Sequence, residues 1–470
     1  RKGGETRDLN LHFGLDIEKA LVTGVPVHGA ALDEGKCFDA QVREVIFGIL
    51  AKLGGADTNI PFANFLDSQA RFYKKLRRAF RYGRSLGEFW GSQTSIGQGC
   101  ALSMIYINST VEGWKRYVCS KVPGIKPRAF VDDRSMRHAE IQGVQQALDV
   151  TEVYDKLTGK RTNQKSKVFS THPTKHKEEL AALHYGPHNL ECTNAEKLVG
   201  VEHSFRKQRG RKVLANRGDT CIDTARRIAG VPRGLRDKAR LAAGTAGSQF
   251  AFGVEFGHPR IEDLRECRQA IVNAIWTTTG HQKAVEILLT LLVRGDQTDP
   301  MQRIQVETLM HLSRLLRKHE GELRAPFEEM WEEASSSPQP RGPIGTAMKV
   351  FKEWGWKWES PFVVRTHRDQ ALNLLRAPRS FCKQQYQEAA RKQRWRVLRK
   401  QKRVIEGDMQ DLQDIDIEAT CALWHGKVGK QMRQLFPIEE GDDRWLAKVL
   451  TGSFRPASRL FKAKVLPSPI

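Results

Sequence analysis

Acidic residues placed where apolar strands end constrain this chain more than any other feature. Val25 to Asp33 (VPVHGAALD) reads as a buried strand that finishes on a carboxylate. Lys126 to Arg137 reads as strand, tight turn, strand, with Asp132-Asp133 at the turn after Ala129-Phe130-Val131. If the two strands are neighbours, Asp33 and Asp132 converge although roughly a hundred positions separate them. Paired carboxylates with no softer donor nearby suit a hard cation such as Mg²⁺, which takes oxygen ligands and keeps positions open for phosphate. Taken alone, Asp132-Asp133 is a polar hairpin turn and Asp33 a helix N-cap.

The surrounding pattern alternates strand-like and helical segments over the first ~205 residues, an α+β arrangement. Val42, Val45, Ile46, Ile49, Leu50 and Leu53 follow helical spacing, and Gly54-Gly55 ends that helix. A basic amphipathic helix is expected from Ala63 to Tyr82, with Phe72, Leu76 and Phe80 interleaved among arginines and lysines. Further helices are expected over 102–121 and 138–157, the second capped by Gly159, with strands around 166–170, 182–185 and 197–205. From Arg206 the chain turns basic and helical: residues 206–240 hold twelve Lys/Arg against three Asp/Glu, and Asp219 reads as an N-cap. Ser335 to Gly345 has linker composition, followed by a Trp-rich stretch (Trp354, Trp356, Trp358) read as packing.

A third segment, Ser95-Ile96-Gly97-Gln98-Gly99-Cys100-Ala101-Leu102-Ser103, sets a glutamine between two glycines just before a helix. The three segments, in this order and spacing, resemble reverse transcriptases, closest to those of non-LTR (LINE-like) retrotransposons. Asp33-Glu34-Gly35-Lys36-Cys37-Phe38-Asp39 resembles the family's D-x-x-K-A-F-D. The glutamine segment resembles G-I-P-Q-G-C-P-L-S, with Gly97 and Ala101 standing where the family has prolines. Phe130-Val131-Asp132-Asp133 resembles the aromatic-x-D-D box. Thr162 to Val168, Lys197-Leu198-Val199-Gly200-Val201 and Ser248 to Glu255 resemble, in order, the lysine motif, the primer-gripping strand and a thumb segment.

The resemblance covers about residues 13–330 and implies a right-hand polymerase. An antiparallel palm sheet with packed helices and a remnant of fingers would occupy 1–205, and a helical thumb or connection 206–334. A linker over 335–345 would lead to a basic helical region over 346–470. Only 32 residues precede Asp33, so the family's upstream fingers motifs are absent. The implied reaction is two-metal transfer from dNTPs to a primer 3′-hydroxyl on an RNA template, with Mg²⁺ as cofactor (two ions) and Mn²⁺ as the alternative. Asp33 and Asp132 would hold both ions with help from Asp133, and Lys165 would protonate pyrophosphate. Phe38 would exclude a ribose 2′-hydroxyl, while Gln98, Gly97 and Gly99 would contact the incoming nucleotide. The alternative is a catalytically inactive retroelement remnant that only binds nucleic acid.

Charge supports a polyanionic partner. Lys plus Arg is 77 against 54 Asp plus Glu in 470 residues, a net charge of +23. Arg206, Lys207, Arg209, Arg211 and Lys212 are candidates for phosphate contacts. So are Arg394 and Arg396, with Trp395 between them as a stacking ring, in a stretch where eight of the thirteen residues 391–403 are basic. The partners expected are RNA template, DNA primer and dNTPs, with no membrane, since no uncharged apolar run approaches the ~20 residues a spanning helix needs. Eight scattered cysteines without C-x-x-C exclude a disulfide scaffold or zinc ribbon and fit a reducing compartment. The chain starts at Arg1 with no initiator Met and no secretory signal, and reads as a fragment or processed product that is intracellular, in nucleus or cytoplasm.

Overall fold

The computed structural model describes residues 6–91, 94–97, 100–206, 212–257, 259–276, 285, 288–337 and 342–400. The chain divides into two compact units, Arg1–Arg209 and Gly210–Ile470. In the first, helix α1 (Thr6–Thr23) precedes strand β1 (His28–Asp33), α2 (Arg43–Gly54) and α3 (Ile60–Lys75). Four short strands follow, β2 (Arg77–Arg78), β3 (Arg81–Tyr82), β4 (Ser85–Leu86) and β5 (Trp90–Gly91), and then α4 (Ser103–Lys121). Strands β6 (Arg128–Phe130) and β7 (Asp133–His138) lead to α5 (Ile141–Thr158), β8 (Lys167–Ser170) and α6 (Lys177–Ala181). The unit ends with β9 (His184–Tyr185), β10 (His188–Asn189), β11 (Glu191–Thr193), β12 (Ala195–Leu198) and β13 (Val201–Ser204).

Five of these strands make one sheet in the order β11-β8-β1-β7-β6, antiparallel except for the β11–β8 pair. Strand alternation sends Ala30, Leu32, Met136 and Val168 to one face, where they pack with Trp114 and Val118 of α4 and Val144, Ala147 and Leu148 of α5. Phe169, one position on, joins a separate cluster with Phe13 and Ile17 of α1 and with Phe205. Its ring stacks on Phe205 at 4.2 Å and meets Phe13 edge-on at 5.4 Å. Gly29 is required at this crowded crossing, because a Cβ there would collide with the Phe169 ring and the Met136 carbonyl.

The helices obey their termini. α2 stops where Gly55 takes φ +63 and returns its N–H to Ala51 O. In the same way Gly159 takes φ +74 after α5 and bonds Asp155 O. α3 opens on Asn59, whose side chain accepts from the Phe62 N–H, with a proline in the first turn.

Several expectations need correction. The basic helix expected to Tyr82 stops at Lys75, and the chain instead folds back as nested strand pairs, β2 with β5 and β3 with β4, around Gly83 at φ +59. The single strand expected over 197–205 is a hairpin, because Val199 and Gly200 both take positive φ between the paired Leu198 and Val201. Asp219 lies inside the helix Lys212–Ala229 and is not its N-cap. Helices also run into the expected linker from both sides, one ending at Ser336 and one starting at Gly342.

The second unit is mainly helical. Helices Lys212–Ala229, Leu235–Gly244 and Ile261–Ile275 share a core of Cys221, Ala225, Ala242, Phe250, Ile271 and Val272. Helix Pro300–Lys318 begins on Asp299, whose carboxylate accepts from the Met301 N–H. Trp354 and Trp356 are buried 5.4 Å apart beside Tyr386 of the helix Arg379–Arg399, the packing role expected of that stretch. Among the described residues no helix is long and apolar enough to cross a membrane.

Candidate active site

Antiparallel pairing of β1 with β7 sets Asp33 directly opposite Asp133. β6 and β7 are joined by two residues only, since Phe130 pairs with Asp133 and leaves Val131 and Asp132 as the loop. Val131 takes φ +60 and Asp132 does not, the pattern of a type II′ turn, whose first position favours glycine. A β-branched residue in that region is strained by ~1–2 kcal/mol, and such strain collects at functional sites. The three acids of the sequence reading thus sit at adjoining strand ends, Asp132 exposed and Asp33 and Asp133 half-buried.

Their electrostatics are those of mutually repelling carboxylates. Burial first, and then the charges of Asp132 and Asp33, push the Asp133 carboxyl above its usual range, opposed by the Val199 N–H and by Lys197. That N–H donates to Asp133 Oδ2 at 3.1 Å and comes from the tip of the β12–β13 hairpin. The same hairpin carries Glu196, whose carboxyl is raised by burial and by the charges of Asp133 and Asp33, against Lys167. Glu196 was not expected at the site; nothing in its local sequence marks it, and only the docking of the hairpin tip on Asp133 brings it within range. Carboxylate oxygens are the donors a hard divalent cation takes, and the β1–β7 register brings these acids to one end of the sheet.

The lysine-bearing loop is pinned to the same strand end. Asn163 N–H donates to Asp33 O at 2.7 Å, Asp33 N–H to Ser166 Oγ at 3.1 Å, and Gly35 N–H to Arg161 O at 2.8 Å. Lys165, exposed, sits in this loop and donates its backbone N–H to Asn163 Oδ1 at 3.2 Å.

Phe38 is half-buried against the cluster of Cys37, Ile46, Tyr106 and Ile107. The segment before Gln98 is laid along it: Ile96 N–H donates to Phe38 O at 3.1 Å and Ser95 N–H to Gln41 O at 2.9 Å. Buried Arg43 clamps this join, its Nε on Ser95 O and its Nη1 on Tyr73 O, both at 2.8 Å. Gly97 follows Ile96 directly, so the Ile96–Phe38 bond holds it near Phe38. Gln98 and Gly99 lie outside the described residues.

Beneath the acids lies a buried charge network absent from the sequence reading. Glu34, the neighbour of Asp33, pairs with Lys160 at 2.9 Å and accepts from Gln41 Nε2 at 3.1 Å. Arg134, the neighbour of Asp133, makes two bonds to Asp155 at 2.7 and 2.8 Å and approaches Glu34 at 4.0 Å. Tyr185 and Thr162 complete the Asp155 carboxylate at 2.7 and 2.9 Å. Burial alone would raise the Asp155 carboxyl, but the Arg134 guanidinium holds it below its usual range. Two acids and two bases balance, which is what lets them all be buried.

Of the expected nucleic-acid contacts, Arg206, Lys212 and Arg396 are exposed and Arg394 is half-buried, while Lys207, Arg209 and Arg211 lie outside the described residues. Trp395 requires correction. Trp395 is 3% exposed, so it is a core residue and not a stacking platform.

No family model and no curated protein sequence matches the chain. Among solved structures it is similar to telomerase from Candida tropicalis in complex with the TWJ fragment of telomeric RNA, at TM-score 0.34 and 10% identity over 70% of this chain and 53% of that one. It is likewise similar to the Candida albicans telomerase complex, at TM-score 0.34 and 11% identity over 71% of this chain and 52% of that one. The chain thus spans about half the length of these structures.

Proposed function

We propose that the chain is a reverse-transcriptase module of retroelement type, transferring deoxynucleotides to a primer on an RNA template. The observation that carries this reading is the register of β1 against β7, which sets Asp33 opposite Asp133 with Asp132 in the two-residue turn beside it. Asp33 and Asp132 would hold two Mg²⁺ ions with Asp133 assisting, and Mn²⁺ suits the same oxygens. Bound there, the ions would supply Lewis acidity, lowering the pKa of a primer hydroxyl and offsetting charge on pyrophosphate. The chain's own groups do the rest. Lys165, on the loop tied to Asp33, donates a proton to pyrophosphate. Phe38 fills the space a ribose 2′-hydroxyl would need, and Gln98, Gly97 and Gly99 contact the incoming nucleotide. Arg206 and Lys212 neutralise template or primer phosphates without reading sequence.

Primer extension on poly(rA)/oligo(dT) with Mg²⁺ and dTTP tests this. The Asp132→Asn variant is expected to lose at least ~10³-fold in rate, as removal of a metal-holding carboxylate does, with RNA retention within twofold of the parent. Equal extension by the variant would overturn the metal assignment. A parent chain that retains RNA and never extends a primer would leave it a nucleic-acid-binding protein instead.

A further inference from the structure

We propose that the end of α3 and the strand pairs that follow it form a separate binding surface for single-stranded nucleic acid. From Arg71 to Arg84 the chain holds seven Lys/Arg and no Asp/Glu. Interleaved with them are aromatic rings that the fold leaves in solvent: Phe72 is 55% exposed, Phe80 77%, Tyr82 91% and Phe89 65%. Large rings normally bury themselves, and here four stand exposed within eighteen residues. Phe80 leans on Trp90 at 4.8 Å and a 32° tilt, which stiffens this ring while leaving most of it uncovered. The turn at Gly83 exposes Arg81 and Arg84 on either side, and the Arg81 Nε donates to Gly83 O at 3.0 Å.

The chemistry selects the occupant. Exposed rings take unpaired bases by stacking, while adjacent guanidinium groups neutralise the backbone between them, a combination that a duplex, with its bases already stacked, cannot use. A second copy of the same surface would bring a net charge of +6 (seven Lys/Arg less Glu88 over residues 71–91) against the same charge. A membrane-binding segment would keep its rings on a face free of charge, whereas Arg78 is paired directly across from Trp90, which packs on Phe80, so a cation and rings share one face. The surface lies on elements distinct from the strand ends that carry Asp33 and Asp133, and it stands whether or not the chain polymerises.

Fluorescence anisotropy of the full chain with labelled 20-nucleotide mixed-sequence RNA and DNA strands, and with the matching duplexes, tests the proposal. Tyr82→Ala and Phe89→Ala together are expected to weaken single-strand binding by about tenfold or more, with duplex binding within twofold. Arg77→Gln, Arg81→Gln and Arg84→Gln together should lower the salt slope for single strands by about two. A 4-thiouridine strand should cross-link within the tryptic peptides of residues 72–91, and Asp132→Asn should leave all of this unchanged while removing any primer extension. Tyr82→Leu keeps the exposed apolar area without the ring, and should resemble Tyr82→Ala. Equal losses for single strand and duplex, no loss from the aromatic changes, or cross-links only elsewhere would overturn the proposal. So would concentration-dependent self-association abolished by the same changes, which would mark a protein contact.

Discussion

Val131 and Val199 are β-branched residues held at positive φ, one in the turn before Asp132 and one at the hairpin tip that touches Asp133. Val131→Gly removes a positive-φ penalty of ~1–2 kcal/mol and adds back ~0.5–1 kcal/mol of unfolded-chain entropy, so a net gain of roughly 0.5–1 kcal/mol is expected. A higher urea midpoint checks it, and a loss above ~1 kcal/mol would show the turn to be unstrained. Two buried histidines make a prediction of pH dependence. His203 Nε2 donates to Asn10 Oδ1 at 2.7 Å, and burial, then Arg137, lowers its pKa to about 3. His28 is lowered to about 4 by burial and then by His176, with His172 and His138 acting the same way and Glu179 opposing. Both stay neutral in the fold while the unfolded chain protonates near pH 6.5. Their contribution is therefore complete above that value and is lost as pH falls toward 4. Each is expected to cost roughly 2 kcal/mol by pH 5, visible in urea midpoints at pH 7 and 5, with His203→Gln flattening the slope. The placement of the acids at strand ends was legible in sequence because Asp33 closes an apolar run and Asp132-Asp133 follows one; the strain at Val131 was not, since valine suits strands and disguises a turn position.

At the scale of elements, the network of Glu34, Lys160, Arg134 and Asp155 joins the β1 and β7 ends to α5 and to the loop that carries Lys165. Asp155→Ala would strand a fully buried Arg134, and a loss of ~3–5 kcal/mol in thermal or urea unfolding is expected. Pairing it with Arg134→Met should recover a large part of that loss, which a double-mutant cycle measures. Sequence reading could not find this network: Glu34 and Lys160 are 126 positions apart, and each looks locally like an ordinary surface charge. Helices α2 and α5 were legible for the opposite reason, since spacing and terminal glycines are local signals. The strands after α3 were misread because Phe72, Leu76 and Phe80 keep helical spacing past Lys75, where the helix stops and Leu76 turns extended. The Leu198-Val199-Gly200-Val201 turn was misread because valine occupies a place where asparagine would have announced it.

For the molecule as a whole, the net charge of +23 is the quantity with the widest consequence. Binding to RNA should weaken by about 10³-fold or more between ~50 and ~200 mM salt if six or more phosphates are neutralised. Anisotropy titrations across that range check it, and a flat response would remove the electrostatic grip. The buried Trp395 narrows where the contacts lie, because the helix Arg379–Arg399 offers charge but not that ring.

The hydrogen bond from Val199 to Asp133 is made by main chain, so drift in the side chain at 199 cannot erase it. Any of nineteen residues supplies the donor and proline alone does not. Descendants of this chain are free to lose likeness at that tip while the contact persists, and a comparison by letters will undercount what they share.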